Sequence, residues 1–462
     1  MVKKIVINLL FSTYLFAMSN EEMTKRIEAL ENELNILKGS QQNLKASQNM
    51  LISNQQEQSS ALIEEMMSLK DGVFTSNDTY ESHSSLGVAA SKVYNSSSSV
   101  SLGGYGEYKF KKYTNFKNFV STTANDTRKK SEFNIVRFVP YIGFKFNDWI
   151  VMNTEIEFED GGARSDNTKN YKYAIVEFSY LDFMFDEKYN LRVGHLLVPF
   201  GLVNLNHEPT AYLTAERPTV ETLIIPSTWH TNGALIYGKL NQFEYYAGVV
   251  TSPDAGGLIE GRFLQQGRLG ARQFTDDFSM VVRGVYDFEN GINAGASFLY
   301  GKSSVQDELR PGVSTENSSN ADIKITLAEV HMSYEDNGWN IQSLATYGDL
   351  GGDLNSLPGS IGDSQVSSSV NGQYLTVGYD LLSSYGTNQQ LFAVCEVERL
   401  DMDAKNETKF SSNYNFNEYS AGLSYFPDSK VVVKLEYNSR DYSSKAKLAD
   451  EKVVIATAGF IF

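Results

Sequence analysis

Cysteine, tryptophan, histidine and proline are all scarce in this 462-residue chain, with 1, 3, 5 and 9 copies respectively. The single cysteine, Cys395, excludes an internal disulfide and reads as a small apolar residue on a strand face. Few histidines and no paired Cys/His spacing leave little basis for a metal site, and no cofactor is expected. Past the N-terminus no apolar run approaches the roughly 18 residues of a spanning helix, which excludes an α-helical membrane protein. A net charge of −16 argues against nucleic acid as a partner and suits a surface exposed to water.

What is present is aromatic and strand-forming. Tyr and Phe each occur 27 times, residues that suit strands and the two edges of a bilayer. Mean hydropathy is −0.31, polar on average. A membrane barrel tolerates that value because it hides a polar lumen behind an apolar outer face.

The N-terminus reads as an address. Lys3 and Lys4 precede an apolar run from Ile5 to Phe16, and Ala17-Met18-Ser19 offers small residues at a cleavage site, so 1–19 is expected to be a signal peptide. Residues 20–70 are helical by pattern. Leu30, Leu37, Leu44 and Leu51 recur every seven residues, preceded three positions earlier by Ile27, Leu34, Gln41 and Gln48. Such a seam predicts a coiled coil, and therefore an oligomer. A Ser/Asn-rich stretch without period, 71–100, is expected to be a linker.

From Ser101 onward, segments of about ten residues alternate polar with apolar or aromatic, sixteen of them between 101–113 and 451–462. Their breaks alternate short turns (Asn147-Asp148, Asn290-Gly291, Asp336-Asn337) with long polar stretches (303–321, 349–370, 401–415). The expected fold is an all-β transmembrane barrel of about 16 antiparallel strands spanning 101–462, preceded by an N-terminal α-helical coiled coil. An even count puts both barrel ends, and with them the coiled coil, on the short-turn, periplasmic side. In the last strand Val454, Ala456, Ala458, Phe460 and Phe462 share an apolar face, and a terminal Phe resembles the signal read by barrel-insertion machinery.

Alternation also predicts the lumen. Arg137, Lys145, Glu155, Glu157, Glu159, Arg283, Glu396, Glu398, Lys434, Glu436 and Arg440 fall on the inward register. Both signs occur with an acidic excess, which favours weak cation preference. Residues 200–230, with three prolines and a dense set of ionisable groups, carry enough apolar surface to pack. This loop is expected to fold inward and narrow the pore, with His207, Glu208, Glu216, Arg217, Glu221 and His230 as candidate lining. Latching the loop to the wall is the structural alternative for each.

At LRVGHLLVPFGL (191–202), NHEP (206–209), ERP (216–218) and PSTWHTNG (226–233) the chain resembles the phosphate-selective porin O and P superfamily. The resemblance covers roughly Leu102 to Phe462. It implies sixteen-stranded trimers in the outer membrane with the third long loop folded into the pore. The ladder of inward Arg and the Lys cluster of phosphate-selective members are not matched here, where only Arg137, Arg192 and Arg283 are scattered, so no residue of that site transfers. The leading expectation is a porin passing small hydrophilic solutes and ions, not an enzyme. The alternative is an anchor whose coiled coil tethers outer-membrane lipid to peptidoglycan or to periplasmic proteins.

Overall fold

A computed structural model describes residues 20–74, 81–117, 131–160, 174–268, 270, 273, 277–305, 322–360, 365–408, 411–446 and 449–462. The expected signal peptide, 1–19, lies outside the described residues. Helix α1, Asn20–Phe74, runs 55 residues, about 80 Å at 1.5 Å per residue. Ile27, Leu30, Leu34, Leu37 and Leu44 are exposed along it. The helix and the remainder are separate compact units that divide between Asp71 and Gly72.

The second unit is a closed antiparallel barrel of sixteen strands, each paired with its neighbours in sequence and β1 with β16. They are β1 Val100–Lys117, β2 Glu132–Lys145, β3 Ile150–Glu159, β4 Ala174–Met184, β5 Asn190–Leu197, β6 His230–Leu240, β7 Phe243–Thr251 and β8 Phe278–Asp287. These are followed by β9 Ile292–Ser303, β10 Ile323–Asp336, β11 Trp339–Gly351, β12 Ser369–Asp380, β13 Gln390–Asp401, β14 Asn415–Asp428, β15 Val431–Tyr442 and β16 Ala449–Ile461.

Period-two alternation decides which face each side chain takes. In β15, Val431, Val433, Leu435 and Tyr437 are exposed while Val432, Lys434, Glu436 and Asn438 are buried. In β16 the buried set is Val453, Ile455, Thr457 and Ile461, which leaves Val454, Ala456, Ala458 and Phe460 facing out. Cys395 is exposed on the outer face of β13. Aromatic rings gather at the short-turn end: Trp149 lies 6.0 and 5.9 Å from Phe183 and Phe185, and Trp339 lies 4.8 Å from Tyr379. Such a girdle fits a membrane interface, where one edge of the ring is wet and the other apolar.

Both ends of the barrel lie together at the short-turn side: Tyr105 near the start of β1 pairs with Ile461 at the end of β16, and Val100 pairs with Phe144 beside the Asn147-Asp148 turn. Phe462 is tied there by two backbone bonds with Gly104, at 2.9 and 3.0 Å, and its ring stacks on Phe138.

The stretch 71–100, expected to be a linker, holds structure where it is described. Helix α1 continues to Phe74, and residues 81–99 are folded, with a short helix α2, Lys92–Asn95. Leu86, Ala89, Ala90 and Val93 are buried, and the first three join a core cluster with Phe178 and Tyr180. Its Ser-rich composition concealed this. The serines bond locally, as Ser91 Oγ does to the carbonyl of Gly87 at 2.8 Å, so the segment satisfies its own backbone while its few apolar residues pack.

Candidate functional site: the occupied lumen

Two chain segments lie inside the barrel, and charged wall residues hold both. The connection from β5 to β6, residues 198–229, carries a five-residue helix α3, Thr219–Leu223. It crosses the lumen to the far wall. Glu398 on β13 accepts hydrogen bonds from the Thr219 and Val220 amides, both at 2.8 Å, at the open N-terminal turn of α3. Glu436 accepts from the Ala215 amide at 2.8 Å, and Lys434 donates to the Tyr212 and Thr214 carbonyls at 2.6 and 2.9 Å. Arg440 pairs with Glu418 at 2.7 Å, and Glu418 also accepts from the Thr219 hydroxyl. Small residues make room for the crossing: a Cβ at Gly459 would stand 2.5 Å from the Pro209 ring, and one at Gly378 2.3 Å from Leu213.

Residues 81–99 enter on the short-turn side. Tyr94 donates to Asp182, which also accepts from Arg192 at 2.9 Å and from the Tyr237 hydroxyl at 3.0 Å. Arg283 reaches Ser85 at 3.3 Å and Glu244 at 3.4 Å, and Lys145 donates to the Tyr94 and Ser96 carbonyls. The two segments touch through Glu208, whose carboxylate oxygens accept from the Ala89 and Ala90 amides at 3.1 and 2.9 Å.

The loop candidates divide accordingly. Glu216 and Arg217 face a polar cavity of about 490 Å³ that also contacts Arg137, Glu396, Glu398 and Glu436. Glu216 bridges Lys109 and Lys111 at 3.2 and 2.7 Å; against the penalty of burial, these lysines hold its carboxyl down at about 2. Glu221 is fully buried, accepting from the Tyr374 hydroxyl at 2.6 Å and the Leu202 and Val203 amides. Burial pushes the carboxyls of Glu208 and Glu221 up to about 7. His207 is buried beside Glu155, and burial, with Arg217 adding to it, lowers its imidazole to about 4. His230, at the start of β6, lies 2.8 Å from His195.

Along the wall, Arg137 pairs with Glu157 at 3.2 Å and Glu107 at 3.6 Å. Glu396 accepts from Thr376 at 2.5 Å. Glu159, at the end of β3, is exposed at the rim of the inward register. Glu107, Lys109, Glu177, Asp182 and Glu418 belong to the same networks, and sequence reasoning missed them. Glu177 was hidden by a bulge: Glu155 pairs with Phe178 and Ile156 with Val176, so Glu177 is the extra residue of β4.

A family model, phosphate-selective porin O and P, matches residues 110–462. The chain belongs to this porin family. An uncharacterized protein of Aquifex aeolicus (strain VF5) is 29% identical over 388 residues, covering 80% of this chain and 82% of the relative. Among solved structures, the outer membrane channel DcaP of Acinetobacter baumannii superposes with a TM-score of 0.51 at 15% identity, covering 79% of this chain and 97% of that one. An anion-selective porin from Comamonas acidovorans gives 0.48 at 12% identity, covering 79% and 99%. Porins are outer-membrane channels, and the closed sixteen-stranded barrel of this chain is of that kind.

Proposed function

We propose that this porin passes small hydrophilic solutes and ions by diffusion, through a lumen narrowed by residues 198–229. The observation that supports the constriction is the anchoring of this loop across the lumen by Glu398, Glu436 and Lys434. Glu216 and Arg217 would then line the narrowing, with Arg137 and Glu396 opposite them. Glu208, Glu221, His207 and His230 would set the loop's position. The acidic excess of the inward register and of the chain as a whole supports weak cation preference.

Residues 1–19 would direct export and be cleaved. α1 would then stand in the periplasm and pair with copies of itself, because Ile27, Leu30, Leu34, Leu37 and Leu44 are exposed along it. A homotrimer is the proposed assembly. Barrel-insertion machinery reading the strand that ends at Phe462 would be an assembly partner.

Planar-bilayer recording tests the channel. Conductance on the nanosiemens scale is expected, with a reversal potential in a salt gradient that favours cations. A protein folded in vesicles that carries no current would overturn the channel reading, and an anion-selective potential would overturn the charge argument.

The same exposed stripe keeps a second reading open, in which α1 tethers the membrane to peptidoglycan. Removal of 20–74 separates the two, since envelope attachment is lost in the second while conductance persists.

A further inference from the structure

Glu155 on β3, Glu177 on β4 and His207 on the crossing loop bring one ligand atom each to within 4.8 Å of one another, all three residues being buried. His207 Nε2 stands 3.2 Å from Glu155 Oε1 and 3.7 Å from Glu177 Oε2. A four-coordinate ion with bonds of about 2.0–2.1 Å sets its ligand atoms about 3.3 Å apart, so these separations suit one ion.

The protonation pattern points the same way. His207 Nδ1 lies 3.1 Å from the Asn204 carbonyl, which can only accept, so Nδ1 carries the proton and donates. In the neutral ring Nε2 is then a bare lone pair facing two carboxylates. Three acceptors meeting in a buried space require a cation or a proton among them.

Among the described residues no lysine or arginine makes an ion pair with Glu155 or Glu177, although Arg217 and Arg137 act on them through space. Arg137 is engaged by Glu107 and Glu157, and Arg217 by the His207 carbonyl and Thr228. Among the described residues, His207 is the only basic side chain within salt-bridge distance of Glu155 or Glu177. Glu155 Oε2 and Glu177 Oε2 are both buried without a hydrogen-bond partner. The β4 bulge is what brings Glu177 here: it turns Glu177 and Phe178 inward together, where plain alternation would have sent one of them to lipid.

We propose that Glu155, Glu177 and His207 bind a divalent transition ion of the zinc type, which clamps the crossing loop to β3 and β4. One imidazole and two carboxylates leave a fourth position for water. The ion would neutralise the buried carboxylates and join the loop to the wall on the side opposite Glu398.

The test is zinc titration by calorimetry on the chelator-treated, folded protein in detergent, with cobalt absorption as a second readout. One ion per chain is expected. Glu177→Gln should weaken binding at least tenfold, while Glu335→Gln, at the exposed short-turn end, should leave it unchanged. Absence of zinc and cobalt binding by the wild-type chain would overturn the site and leave a shared proton between the carboxylates. Binding that Glu177→Gln does not alter would also overturn it. The wild-type measurement stands even if a variant fails to fold. Because binding is read apart from current, its failure leaves the channel reading untouched.

Discussion

Glu208 holds the two lumen segments together, and its buried carboxyl makes that contact sensitive to pH. Its value is about 7 in the fold against an ordinary 4.5, so the folded protein binds the proton more tightly than the unfolded chain. The associated stability is complete below about 4.5 and is lost as pH rises through about 7. Exchange of the Ala89 and Ala90 amides should therefore speed up between pH 5 and 8 beyond intrinsic base catalysis, as hydrogen-exchange mass spectrometry would show. Glu208→Gln should remove that excess. Arg192 is a second sensitive residue. Fully buried, it pairs with Asp182 and stacks 4.1 Å over the Tyr180 ring. Arg192→Ala leaves a buried carboxylate without its cation, a loss of about 3–5 kcal/mol. Urea unfolding from lipid vesicles, followed by tryptophan fluorescence, should register it.

At the scale of elements, the crossing loop is seated on the wall as much as tethered to it. Pro209 occupies the space beside Gly459, and a rigid ring cannot yield as a long side chain does. Gly459→Ala should displace the loop locally, giving a larger and noisier single-channel current while the barrel itself still folds. An unchanged current would mean that the loop does not set the constriction. The strands were legible from alternation, because a bilayer outside and water inside impose opposite demands on successive residues. The bulges were not. At Val136, where Glu107 pairs with Arg137 and Tyr108 with Ile135, the outward set switches from Phe133 and Ile135 to Phe138 and Ile142. At Glu177 the same device turns a glutamate inward that a strict period would have misassigned.

For the whole molecule, α1 and the barrel make separable predictions. A peptide of residues 20–74 should gain helicity with concentration and sediment as an oligomer, since its leucine stripe is exposed in the single chain. A constant monomer mass would exclude the coiled coil. Deleting the same residues should leave single-barrel conductance intact, because the lumen contacts described above involve residues from 81 onward.

By itself the sequence determined the strand number, the alternation of the two barrel faces and the short-turn side on which both barrel ends lie. Each follows from local rules of periodicity, turn chemistry and composition. Only the tertiary structure decided that residues 81–99 pack inside the barrel, that Glu221 and Glu208 accept hydrogen bonds from distant backbone amides, and that Glu155, Glu177 and His207 converge. Those outcomes depend on contacts between positions far apart in the chain, such as Glu208 with Ala90 and Thr219 with Glu398. Closure of the barrel brings them together, and no local pattern encodes their meeting.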